Sequence, residues 1–265
     1  MTDFIRLDWS ELANGPVAIA YRSYGAGPAI VFLHGGWGYE VYPLDAQIDG
    51  LAERFRIVIP DRCGYGHSSP VSCLGPGFHR LAVLETIAML DQLQIAEAVW
   101  WGHSDGAIIA ALAGIQHPER CRAVILEALH LFSAKPLSRK FFEQMAWDPD
   151  SFGPRVAARL SADHGEERWR RVLELDGAAW LEIAARAVEH PDLFDGRLSQ
   201  LRPPALLIHG GKDPRTEPAE WQAIRTALPR ATIAFSPAAG HSPHSETGSS
   251  RHVTAAVEGF LSGLT

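Results

Sequence analysis

Cysteine is scarce in this chain of 265 residues: only Cys63, Cys73 and Cys121 occur, and no two share a C-x-x-C spacing. That scarcity excludes a disulfide framework and a zinc ribbon, and it fits thiols kept free in a reducing compartment. Blocks of Lys and Arg are also missing, and 24 basic against 31 acidic residues leave a formal net charge of −7. Such a balance favours solubility and argues against nucleic acid as a partner, because nothing here could track a phosphate backbone. Long hydrophobic runs are absent. The strongest, Ala29 to Leu33 and Ala205 to Ile208, have strand length and fall far short of a membrane span, so no membrane partner is expected. The first residues, Met1-Thr2-Asp3-Phe4-Ile5-Arg6, carry an acid early and no apolar h-region. No secretory signal is expected from them, and the cytoplasm is the default location. No repeat period stands out.

What is present is an ordinary globular composition, 46% apolar and 21% charged, in a chain long enough for one domain with a small insertion. Ile5 to Trp9 and Val17 to Tyr24 read as two strands joined at Asn14-Gly15-Pro16. Short apolar runs then alternate with helical patterns. Strands are expected at Ala29 to Leu33, Arg56 to Pro60, Ala98 to Trp101 and Ala123 to Leu126, and helices at Pro43 to Leu51 and Gly77 to Leu93. From about Ser133 to Leu201 the rhythm breaks into a region rich in Arg, Glu, Trp and Ala. There Arg155 to Leu160, Glu166 to Leu175 and Ala178 to His190 read as amphipathic helices of an insertion. The rhythm resumes with a strand at Ala205 to His209, a helix at Pro218 to Leu228, a strand at Ala231 to Phe235 and a helix at Ser250 to Leu261. This order predicts an α/β fold, a mostly parallel sheet covered by helices on both faces, with ligands beyond the carboxyl ends of the strands.

One pentapeptide carries the chemistry. Gly102-His103-Ser104-Asp105-Gly106 follows an apolar strand and precedes a small-residue helix, the context of a G-x-S-x-G nucleophile elbow. A serine hydroxyl needs a base and a group to orient that base. Of the 12 histidines, His241 is best placed, in the loop Ala238-Ala239-Gly240-His241-Ser242-Pro243 after the last strand. Asp213 follows the strand Leu206-Leu207-Ile208 through a glycine turn, and the order Ser104, Asp213, His241 is that of elbow hydrolases. Glu127, at the end of its own strand, is the rival acid and otherwise a pocket or pairing carboxylate. Oxyanion donors are expected from the backbone N–H of Asp105 and of Gly36, in the turn Gly35-Gly36-Trp37. A phosphate cradle at His34 to Gly38 is not supported, because no Walker lysine and serine follow.

Other residues stand near these points. Trp37 is placed to touch substrate, and His130 either contacts substrate or packs under the insertion. Asp105 and Glu127 would favour an amino-bearing substrate if they reached the mouth, although Asp105 also reads as a helix-start residue. The loop Asp61-Arg62-Cys63-Gly64-Tyr65-Gly66-His67-Ser68 reads as scaffold. His241, His244 and Glu246 are too loosely spaced for a metal site, so no metal and no cofactor are expected.

Taken together, these motifs resemble the α/β-hydrolases of the esterase, lactonase, C–C hydrolase and haloperoxidase-like branch. The likeness rests on His34-Gly35-Gly36, Asp61-Arg62-x-Gly64-x-Gly66-x-Ser68, Gly102 to Gly106, Gly210-x-x-Asp213 and Gly240-His241. It implies a three-layer α/β/α sandwich with an eight-stranded, mostly parallel sheet. It also implies a core over residues 1–132 and 201–265, with a helical cap over 133–200 between the sixth and seventh strands. Cys63 stands where such proteins often have glycine. Serine at 104, where relatives that open epoxides or displace halide carry aspartate, favours acyl chemistry. The expected function is hydrolysis of a small or medium ester, lactone or related acyl compound through an acyl-enzyme. The alternatives are a C–C bond hydrolase, for which Arg155, Arg159 or Arg186 would have to point inward, and a non-catalytic ligand-binding protein. The expected partner is a small-molecule substrate, and a homo-oligomer is compatible with the sequence.

Overall fold

The computed structural model of the protein describes residues 2–264. β1 (Asp3–Ser10) and β2 (Gly15–Tyr24) form an antiparallel hairpin, turned by Asn14 at φ 52°. β3 (Ala29–Leu33), α1 (Asp45–Leu51), β4 (Arg56–Pro60), α2 (Phe78–Gln92), β5 (Ala98–His103), α3 (Asp105–Gln116) and β6 (Cys121–Glu127) follow in strict alternation. Three helices come next, α4 (Arg139–Trp147), α5 (Pro154–His164) and α6 (Trp169–Ala185). β7 (Ala205–Gly210), α7 (Glu220–Ala227), β8 (Thr232–Ser236) and α8 (Ser250–Ser262) complete the chain. The strands form one eight-stranded sheet in the order β1-β2-β4-β3-β5-β6-β7-β8, parallel from β4 through β8.

The central strands read as unbroken apolar runs because both their faces are buried. Val31, Leu33, Val58, Trp100, Val124 and Leu126 point to the layer of α2 and α3. Their neighbours Ile30, Phe32, Ile57, Val99, Trp101 and Ile125 point to the layer of α1 and α8, against Leu51, Val253, Val257 and Leu261. The expected α/β/α sandwich with an eight-stranded, mostly parallel sheet is the observed fold. Among the described residues, no helix is long and apolar enough to cross a membrane.

The main departures lie between β6 and β7, with a smaller one at the start of α7. The two helices expected over Glu166 to Leu175 and Ala178 to His190 are one helix, α6, and the sequence reading missed α4. Gly177 does not break α6, because it is where α4 crosses. A Cβ there would stand 2.7 Å from the backbone of Phe142 and Ala146, so only glycine lets the helices meet. Pro218 lies ahead of α7, which begins at Glu220, two residues later than expected.

Candidate active site

The elbow is built by close approach. β5 runs straight into α3 through Ser104, whose φ 56° and ψ −117° are strained for a residue with a Cβ. A Cβ on Gly102 would lie 1.9 Å from the carbonyl oxygen of Gly106, and one on Gly106 would lie 1.9 Å from that of Leu33. Ser104 is thereby held at the carboxyl edge of the sheet, with its N–H donating to the Glu127 carbonyl at 2.9 Å.

The His241 loop is fixed from two sides. Glu246 accepts from the N–H groups of Gly240 (2.9 Å) and Ser242 (3.2 Å), and His103 Nε2 donates to the His241 carbonyl at 3.0 Å. His241 Nδ1 stands 3.0 and 2.9 Å from the two carboxylate oxygens of Asp213, which also accepts from the Arg215 N–H at 2.8 Å. Burial opposes ionisation of Asp213, but the adjacent His241 imidazole outweighs it and holds the carboxyl well below its usual range. An ionised carboxylate only accepts, so Nδ1 carries the imidazole proton and Nε2 is left as the base. Ser104 Oγ has no hydrogen-bond partner among the described residues. Ser104, His241 and Gly36 line one cavity of about 300 Å³ beneath α4 and α6.

The turn before that cavity is locked by a neutral histidine. The Arg62 N–H donates to His34 Nε2 at 3.1 Å, so the His34 proton is on Nδ1, which donates to the Gly35 carbonyl at 2.7 Å. The Arg62 guanidinium donates to the same carbonyl at 3.0 Å. With that oxygen turned away and satisfied, the Gly36 N–H is left without an acceptor among the described residues, as is the Asp105 N–H at the start of α3.

The Asp105 side chain is not at the mouth. It is buried, accepts from His79 Nε2 and Trp180 Nε1 at 3.0 Å each, and lies 3.8 Å from the Arg62 guanidinium. Asp176 of α6 is hydrogen-bonded to it and accepts from the Tyr65 hydroxyl at 3.1 Å. Burial and then the Asp105 charge push the Asp176 carboxyl well above its usual range. Asp105 resists burial through its bond to His79 and the charge of Arg62, and stays below its own. Of the two carboxyls, Asp176 holds its proton the more tightly. Asp105 is thus already neutralised by Arg62.

Trp37 and His130 line the cavity; Glu127 does not. Glu127 is fully buried beneath the site, where it accepts from the N–H and Nδ1 of His244, both at 2.9 Å. Its partner is a histidine 117 residues away, a pairing only the strand order reveals. His130 stacks on His241 with the ring planes 15° apart, and its Nδ1 accepts from the buried Lys135 ammonium at 3.1 Å. Arg155 and Arg159 are exposed, and Arg186 pairs with Glu182 on the surface, so none of the three reaches the cavity. Asp176, Tyr42 and Arg215 do, and the sequence reading passed over all three.

The α/β-hydrolase fold family model matches residues 28–176, from β3 through the elbow into α6. The chain belongs to the α/β-hydrolase fold family. A pimeloyl-[acyl-carrier protein] methyl ester esterase of Nitrosomonas europaea is 28% identical over 248 residues, 85% of this chain and 93% of that protein. The human serine hydrolase BPHL is 25% identical over 210 residues, 77% of this chain and 70% of its own. A solved thermophilic esterase from Thermogutta terrifontis superposes with a TM-score of 0.76 at 22% identity, covering 99% of both chains. That likeness is one of fold. Within this α/β-hydrolase, Ser104, Asp213 and His241 of the candidate site each follow a strand of the sheet.

Proposed function

We propose that this α/β-hydrolase is a serine hydrolase that cleaves a small or medium carboxylic ester, lactone or related acyl compound through an acyl-enzyme on Ser104. Family membership and the hydrolase names of its relatives support the hydrolytic class. The observation that carries the finer reading is the Asp213–His241 pair beside a strained, unpartnered Ser104 in one cavity. His241 Nε2 takes the Ser104 proton as Oγ attacks the carbonyl carbon, and Asp213 steadies the imidazolium that forms. The N–H groups of Gly36 and Asp105 receive the oxyanion. His241 then gives its proton to the leaving alcohol. Water, deprotonated by the same nitrogen, releases the acid and restores Ser104.

A fluorophosphonate probe, with the adduct located by mass spectrometry, tests this. Labelling of Ser104 that is lost in Ser104→Ala and falls sharply in His241→Ala and Asp213→Ala is the expected result. Folded protein that leaves Ser104 unlabelled refutes the mechanism.

A further inference from the structure

One wall of the cavity holds hydrogen-bond donors without acceptors. Arg215 lines the cavity two residues after Asp213, with its guanidinium laid over the Phe141 ring of α4. Among the described residues that guanidinium makes no hydrogen bond and no ion pair, unlike Arg22 with Asp61, Arg62 with Asp105 or Arg120 with Asp91. The Tyr42 hydroxyl, on the same cavity, likewise has no partner. Its ring packs at 5.5 Å from His103 and stacks at 6.2 Å on Trp37, which in turn stacks on Phe141. Arg215 and Tyr42 are close enough for each to act on the other's ionisation. Burial pushes the Tyr42 hydroxyl up and the nearby guanidinium opposes it.

An arginine half-sunk in an aromatic wall gives up hydration, and evolution usually meets that cost with a carboxylate. Here the nearest one, Asp213, has both oxygens engaged by His241 and by the Arg215 backbone. The face of the guanidinium is taken by Phe141, so its N–H edge is what remains. A planar fork beside a phenol hydroxyl fits two carboxylate oxygens.

We propose that Arg215 and Tyr42 receive a carboxylate on the acyl part of the substrate, so that this enzyme prefers half-esters of short dicarboxylic acids to neutral esters. The assignment rests on the Ser104 hydrolase reading. Charge-assisted hydrogen bonds of this kind are each worth about 1.5–3 kcal/mol, roughly a tenfold to hundredfold preference.

The test compares kcat/KM for mono-p-nitrophenyl glutarate and p-nitrophenyl valerate, which have the same acyl length and differ in the terminal carboxylate. The wild type is expected to favour the glutarate ester by roughly tenfold or more. In Arg215→Met the ratio of the two constants should fall towards one. Arg215→Lys, which keeps the charge and loses the fork, and Tyr42→Phe should fall between. If Arg215 acts only on Asp213 and His241, both esters slow together, the ratio stands, and the proposal is overturned. A wild type without preference overturns it as well. Should neither ester turn over, failure of Ser104 to react with fluorophosphonate locates the fault in the hydrolase reading. Calorimetric binding of glutarate still reads the receiving site: binding lost in Arg215→Met supports it, and no binding to the wild type overturns it.

Discussion

Lys135 offers a demanding test of how the helical segment is fastened to the sheet. Its ammonium and the Glu220 carboxylate are both fully buried and stand 2.6 Å apart. Glu220 also accepts from the N–H groups of Leu131 (2.8 Å), Phe132 (2.9 Å) and Glu217 (2.9 Å), so one carboxylate ties the segment after β6 to the start of α7. Lys135→Met keeps the apolar stem and removes the charge. It strands an anion with three backbone donors and removes the ammonium that donates to His130 Nδ1. Breaking a buried pair from one side costs about 3–5 kcal/mol. For a chain of this size that lowers Tm by roughly 6–20 °C. Glu220→Gln should cost a similar amount, leaving the cation stranded. The double variant should be more stable than the sum of the single effects predicts by about 2 kcal/mol or more. Thermal unfolding of the four proteins at pH 7 measures the cycle. A Lys135→Met protein that melts within 2 °C or so of the wild type, or single effects that simply add, would refute the reasoning.

Asp176→Asn should change stability by less than about 1 kcal/mol, since an amide can donate to Asp105 as the protonated acid does. Asp105→Asn should cost about 3 kcal/mol or more by leaving Arg62 without its anion; denaturant titration separates the two, and equal effects would refute the proton's placement on Asp176. Burial raises the Asp163 carboxyl to about 7 from 3.8, so the folded protein binds a proton that the unfolded chain releases between those values. Its contribution therefore turns unfavourable as pH rises through that window. Asp163→Asn should raise Tm at pH 8 by an amount worth at most about 4 kcal/mol, with little change near pH 4. Gly106→Ala should abolish the folded elbow, because its Cβ would fall 1.9 Å from the Leu33 carbonyl oxygen; soluble, fluorophosphonate-reactive protein would contradict this.

Much of this was readable along the chain because the deciding contacts are local. The glycines of the elbow sit two residues from Ser104, and β3 and β4 run from Ala29 to Leu33 and from Arg56 to Pro60, the ranges their apolar runs predict. What escaped was decided across the fold. Asp176 and Gly177 look like a helix break, until α4 is seen crossing at the glycine and Asp105 meeting the carboxyl. Glu127 looks like a pocket acid, until β6 brings it under His244. Arg215 looks like any surface arginine; that it lacks a partner is a property of its surroundings and leaves no mark in the sequence.

The helical segment leaves the sheet from β6 and returns on β7, strands that are themselves paired, Val124 beside Ala205. Its exit after Glu127 and its return at Ala205, level with Val124, are therefore one strand across and three residues along from each other, about 11 Å, whatever lies between them, and a longer or shorter excursion adds only slowly to the entropy of closing it. Ser104, Asp213 and His241 follow β5, β7 and β8, outside that excursion in the chain. The enclosure over the site can therefore be exchanged like an interchangeable lens on a fixed mount, altering which molecules enter without disturbing the groups that would react with them.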